Sequence, residues 1–373
     1  MVNEKRLLAS FIEMVETDSV SGQEAGMRDL LQEKFRQFGW QVREDGAGTL
    51  LRGNSGNLLV NVPGNLDLPP LLFSAHMDTV TPGLGVKAIV DEEGFIRSSG
   101  DTILGSDDKA AIAALVEVCH VLEENKLLHP PLELLFTVSE EQGLKGAKAF
   151  DYKQLKAKTA YVLDAGGEPG VIITQSPCQN EIEYTVYGKA AHAGISPEKG
   201  INAIHLLAQA LAVMPCGRID ADTTCNFGNI KGGAARNIVA DLCKVKGEAR
   251  SLSREKLDSL TADMKSVFHS EVEKRGGRAE VEVRFLYPEM KLEDNEAVVE
   301  LAVQAAKHIG LQPQLLSTGG GSDASIINGQ GIRCANLGVG MQAVHTCDEH
   351  IKVIDLVNDA RWVLAIIQLA CQQ

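Results

Sequence analysis

Four short apolar runs, LLVNV (58–62), LLFSA (71–75), LELLFTV (132–138) and AYVL (160–163), are interleaved with helical stretches such as KAAIAALVEVCHVLEE (109–124). Continuous apolar runs of this length suit strands covered on both faces, and strands joined through helices form an α/β layered sheet. Two helices precede them. Leu7, Leu8, Phe11, Ile12 and Val15 make one stripe, and Met27, Leu30, Leu31, Phe35 and Phe38 make a second that stops at Gly39.

Near residue 180 the pattern changes. EIEYTVYG alternates polar with apolar as a half-solvated strand does, and INAIHLLAQALAVM (201–214), KVKGEARSL, a long helix at 254–275 and AEVEVRFLY (279–287) follow. This block predicts a small α+β domain with an antiparallel sheet open on one face. After Pro288 the first style returns, with a helix at 295–309, a strand QLLST (314–318), the loop GGGSDA, a strand CANLGVG (334–340) and a closing helix at 355–370. A chain of 373 residues exceeds what one core organises. The expected division is therefore 1–177 with 288–373, interrupted by an inserted domain at 178–287.

A formal net charge of −14 offers no basic stripe for phosphate, so nucleic acid is not an expected partner. No apolar run is long enough to span a bilayer, and the first twenty residues carry acidic side chains within their apolar periodicity, unlike a secretory signal. Eight cysteines without a C-x-x-C pair suit reduced thiols and a cytoplasmic location. Any metal would then be held by histidine and carboxylate.

Each apolar run of the first domain leads into ionisable residues. LLFSA runs into His76 and Asp78, which at i and i+2 project to one face of an extended segment, as a metal ligand and its orienting carboxylate would. TILGS leads to Asp107 and Asp108, LELLFTV to Glu140 and Glu141, AYVL to Asp164, and CANLGVG to His345. In open α/β sheets ligands sit outside the carboxyl ends of the strands. Singly, each has a plainer explanation: Asp107 or Asp108 as a helix cap, Glu140 and Glu141 as a solvated turn, Asp164 as a turn aspartate before Gly166. Together they would crowd carboxylates at one sheet edge without cations, which raises their proton affinity and disfavours charge. A divalent metal pair removes that objection. Histidines with carboxylates and no thiolate are the donors of catalytic zinc, with cobalt and manganese as alternatives, and a two-metal site needs a bridging carboxylate and a separate base. GGGSDA also fits a loose G-x-G-x-x-A fingerprint, but no acidic residue ends the next strand, and its exposed amides better suit a substrate carboxylate or main chain.

SVSGQE (19–24), SAHMDTV (74–80), LGSDDKA (104–110), SEEQGLKGA (139–147), LDAGG (163–167), GKAAHAG (188–194), GGGSDA (319–324) and VHTCDE around His345 occur in one order along the chain. In this the sequence resembles the M20 family of metallopeptidases, and most closely its peptidase T-like branch. The resemblance implies a mixed-sheet, zinc-exopeptidase-like catalytic domain with an inserted lid and dimerisation domain. It implies two zinc ions per subunit, with His76 and Asp164 on one, Glu141 and His345 on the other, and Asp107 bridging them through a cis peptide to Asp108. Asp78 would orient His76, and Glu140 would be the general base. His192, by itself readable as a solvent-exposed turn histidine, would serve the partner subunit's active site by stabilising the oxyanion, making a homodimer part of the catalytic unit. Asn237, Arg250 and the glycines Gly320 and Gly321 would contact substrate. The expected activity is a tripeptidase-type aminopeptidase acting on short peptides. The rivals are a deacylase, dipeptidase or carboxypeptidase with the same metal chemistry, and a metal-dependent binding protein without turnover, in which Glu140 would have no task.

Overall fold

The computed structural model describes residues 1–372, and the chain divides into two compact units. The first comprises Met1–Gln175, Lys291–Ser317 and Ser322–Gln373, and the second Ser176–Met290 with Thr318–Gly321.

The first unit is built on a mixed sheet that runs Gln41–Glu44, Leu58–Val62, Leu132–Thr137, Leu71–His76, Thr159–Ala165, Arg333–Gly338 and Val171–Ser176, with Gln314–Ser317 beside the last of these. The four central strands are mutually parallel, pairing Leu71–His76 with Leu132–Thr137 and Thr159–Ala165, and Thr159–Ala165 with Arg333–Gly338. Their carboxyl ends therefore share one edge, the edge that carries His76, Asp164 and the turns leading to Glu140 and His345.

All six residues of Leu71–His76 are buried, which explains why the run does not alternate. Helix Ser106–Asn125 packs on this strand and on Thr159–Ala165, and lies against helices Glu4–Val15 and Val353–Ala370. Contacts on several sides explain its Ala-rich, barely amphipathic sequence. Full burial of a side chain such as Phe73 or Leu72 stabilises by about 1.5–3 kcal/mol, so this core tolerates the polar groups that the strand ends draw out of water. A small antiparallel sheet of Ala88–Val90, Phe95–Ser98 and His350–Lys352 anchors the segment that follows His345. Among the described residues no helix is long and apolar enough to cross a membrane.

The second unit is a five-stranded antiparallel sheet, ordered Gly217–Arg218, Thr223–Gly232, Leu242–Ser251, Cys178–Tyr187 and Arg278–Tyr287. Helices Ala203–Leu211 and Arg254–Glu273 pack on it, and Ile182, Tyr184, Val186, Leu207, Val245 and Phe268 belong to their common core. Strand Thr223–Gly232 has no counterpart in the periodicity, because TTCNFGNIKG hides only Thr223 and Cys225 and its last residues are exposed.

Candidate metal centre

His76 ends its strand with its side chain only 2 % exposed. Its Nδ1 lies 2.8 Å from the backbone carbonyl of Asp78, the arrangement that places the proton on Nδ1 and leaves the Nε2 lone pair free. That Nε2 is 2.9 Å from Asp107 Oδ1 and 3.9 Å from Asp164 Oδ1.

Asp107 sits between two imidazoles. Its second oxygen, Oδ2, is 3.2 Å from His345 Nε2, which is itself 2.8 Å from Glu141 Oε1. Asp107 and Asp108 have non-helical backbone angles and a cis peptide between them, and no side-chain cap hydrogen bond closes the helix that follows. The capping explanation therefore does not describe these two aspartates. Asp108 Oδ2 accepts the His76 N–H at 3.1 Å, while its buried Oδ1 has no hydrogen-bond partner.

The electrostatics record the crowding. Burial pushes Asp164 well above the usual carboxylate range, and the Asp107 charge adds to it. Glu140 is pushed up in the same way, by burial and then by Asp164. Burial would also raise Asp107, but hydrogen bonds to His345 and His76 outweigh it and hold Asp107 below its ordinary value. The same bonds, to Asp107 first and Glu141 second, raise His345 to about 10.

The donor set fits divalent cations. Ligand atoms of His76, Asp107 and Glu141, and of His76, Asp108 and Asp164, lie within 4.8 Å of one another in each group, and the orphaned Asp108 oxygen is a further sign of an uncompensated site. Nitrogen and carboxylate donors without thiolate suit zinc, cobalt or manganese.

The Asp78 carboxylate is 3.6 Å from His76 Nδ1, further than its own backbone carbonyl, and its nearer bonds lie elsewhere. Oδ1 accepts the Glu140 N–H at 2.9 Å, and Oδ2 accepts the Ser21 hydroxyl at 2.7 Å and the Glu141 N–H at 3.2 Å. Burial disfavours its charge, but His76 and these donors outweigh that and hold Asp78 below its ordinary value. Ser139, at φ 51°, precedes the turn and gives both its N–H and its hydroxyl to Glu24 Oε1 at 3.1 Å.

Other partners are polar residues that sequence reading did not single out. Asn336 accepts the Asp164 N–H at 2.9 Å and donates to the Asp164 carbonyl and the Ser322 hydroxyl. Asp323, raised to about 6 chiefly by burial, accepts the Thr137 hydroxyl at 2.5 Å. The available signal was position: Asn336 lies inside an apolar strand run, and Asp323 lies in the GGGSDA motif.

In the second unit His192 is exposed and bridges Ile238, while the Ala193 N–H donates to the Asn237 carbonyl, so His192 and Asn237 lie on adjoining segments. The Arg250 guanidinium donates to both oxygens of Glu248 at 2.9 and 3.1 Å and to the Gly319 carbonyl at 3.1 Å. Gly320 N–H donates to the Thr318 hydroxyl, and a Cβ on Gly321 would meet the Tyr287 ring at 2.3 Å, so this position admits no side chain without rearrangement.

Known proteins resemble the chain along its whole length. Residues 72–369 match the model of peptidase family M20/M25/M40. The Bacillus subtilis (strain 168) protein YqjE is 44% identical over 372 residues, covering 100% of both chains. Among solved structures, the aminopeptidase PepT from Bacillus cereus ATCC 10987 superposes with a TM-score of 0.92 at 43% identity over 99% of each chain. A tripeptidase from Staphylococcus aureus superposes with a TM-score of 0.96 at 40% identity over 100% of each. A histidine and carboxylate cluster at the parallel strand ends, and likeness along the full chain, place this protein in peptidase family M20/M25/M40, as a hydrolase acting on peptides.

Proposed function

We propose that the chain is a two-zinc aminopeptidase of the tripeptidase type that releases the N-terminal residue of short peptides. The observation that carries this reading is the Asp107 carboxylate, whose two oxygens face His76 Nε2 and His345 Nε2 separately, as a bridging ligand must. The likeness to an aminopeptidase PepT and to a tripeptidase, both at 40% identity or more, supports the substrate class.

His76 and Asp164 would hold one ion, Glu141 and His345 the other, and Asp107 both. Bound there, the pair would acidify a water and polarise the scissile carbonyl. Glu140, next to the ligand Glu141 on a turn tied to Asp78, takes the proton of the attacking water on its carboxylate and passes it to the leaving amine. Asp78 fixes that turn. Arg250, Asn237, Gly320 and Gly321 are assigned to substrate, and exposed His192 to the oxyanion at the partner subunit's site in a homodimer formed through the second unit. Eight free cysteines fit work in the reducing cytoplasm.

The test is elemental analysis of the purified protein combined with hydrolysis of dipeptides, tripeptides and N-acylated peptides, with and without chelator. Two zinc ions per chain and chelator-sensitive release of the N-terminal residue from tripeptides are expected. Release of the C-terminal residue, or of the acyl group, would reassign the substrate, and turnover insensitive to metal removal would overturn the mechanism.

A further inference from the structure

The segment that carries His345 also carries Glu349, an acid with no task in the reaction above. Its carboxylate is buried, with the residue only 1% exposed, and all four of its hydrogen bonds come from one tetrapeptide. Oε2 accepts the Leu104 N–H at 2.9 Å and the Gly105 N–H at 2.8 Å, and Oε1 accepts the Ser106 hydroxyl at 2.6 Å and the Asp107 N–H at 3.1 Å. That tetrapeptide ends in Asp107.

The Glu349 side is equally constrained. Gln342 and His350 exchange backbone hydrogen bonds at 2.9 and 3.1 Å, closing the stretch between them into a loop. Strand His350–Lys352 then pairs with Phe95–Ser98. Two segments 238 residues apart are thus joined twice, in front through His345 and Asp107 and behind through Glu349.

The choice of an acid follows from the donors. Four donors converge on two oxygens, and only a carboxylate presents acceptors alone on both. A glutamine would turn an NH2 group toward one pair of donors and leave that pair unsatisfied in a buried place. A water could fill neither role without losing the link to the His345 loop.

We propose that Glu349 is a positioning residue that sets the separation of His345 from Asp107, and so the affinity of the centre for the ion that His345 and Glu141 would hold. The proposal rests on the two-metal reading.

Zinc titration against a chromophoric chelator, run on the wild-type protein, Glu349→Gln and Ser106→Ala, tests it. The wild-type protein binds two ions. Glu349→Gln keeps the affinity of one and weakens the other by roughly 10- to 100-fold, the range seen when an outer partner of a metal ligand is removed. Its kcat falls at limiting zinc and returns toward wild type in excess zinc, with KM little changed. Ser106→Ala, which deletes a single donor, gives a smaller loss at the same ion. A Glu349→Gln protein that melts at lower temperature but binds both ions as wild type does would overturn the proposal, because Glu349 would then only stabilise the fold. Should Glu349→Gln not fold, unchanged zinc affinity in Ser106→Ala overturns it alone. A wild-type chain that binds no zinc would refute the two-metal reading itself, and with it this one.

Discussion

The backbone N–H of Glu140 donates to Asp78 Oδ1 at 2.9 Å, and the residue after it, Glu141, donates to the other oxygen of the same carboxylate at 3.2 Å. Asp78 thus holds the proposed base and a proposed ligand by their main chains, while the imidazole of His76 is fixed more closely by the Asp78 carbonyl than by its carboxylate. Replacing Asp78 by Asn turns an NH2 group toward one of those donors without removing any of the proposed metal ligands. A hundredfold fall in kcat, about 2.7 kcal/mol of barrier, is expected with zinc content near that of wild type. Steady-state kinetics beside elemental analysis separate the two effects; loss of zinc with kcat per bound metal unchanged would return Asp78 to the role of a His76 orienter.

What could be read in the chain and what could not divide along a physical line. The strand ends were legible because apolar runs stop where ionisable residues begin, and the helix at 109 was legible because its regular backbone starts at Lys109, after two non-helical aspartates. The partners of Asp78, Asp164 and Asp107 were not. Ser21, Asn336 and Glu349 are polar residues whose partners lie 57, 172 and 242 positions away, and no local periodicity encodes those pairings. Asp359 was equally invisible as a buried acid, since in a helix read from the alternation of its neighbours it looks like a solvated position.

Asp359 lies 1% exposed in helix Val353–Ala370, with neither carboxylate oxygen hydrogen-bonded, one turn after Asp355. Burial raises Asp359 well above its ordinary value of 3.8, and the Asp355 charge adds to this. Burial raises Asp355 itself to about 6, against the opposing charge of Lys352. Both acids keep their protons longer folded than unfolded, so their contribution to stability is full below about pH 4 and is lost as pH rises through the folded values, which for Asp355 is near 6. Asp359→Asn removes the ionisable group and should raise the melting temperature at pH 8, by on the order of 1–3 kcal/mol of stability, with the gain shrinking toward pH 4. Thermal melts of both proteins across that range decide it. A gain independent of pH would mean that packing, and not titration, sets the effect.

The exposed position of His192 allows a sharper question than loss of function. If it acts on the partner subunit's substrate, a chain lacking His192 and a chain lacking Glu140 complement each other when mixed. Glu140→Ala alone should cut turnover by about 10²–10⁴ while leaving metal content unchanged, since it removes the proposed proton carrier and none of the proposed ligands. His192→Ala alone should lower kcat by about 10²–10³ through loss of an oxyanion donor. In a mixed two-fold dimer, one of the two sites would combine an intact Glu140 from one chain with an intact His192 from the other. Random reassortment makes half of the dimers mixed, each with one good site, so mixing equal amounts of the two inactive variants should restore roughly a quarter of wild-type activity. Were His192 to act within its own chain, every site in the mixture would lack either the base or the histidine, and activity would stay at the level of the separate variants after subunit exchange has been confirmed by mass spectrometry.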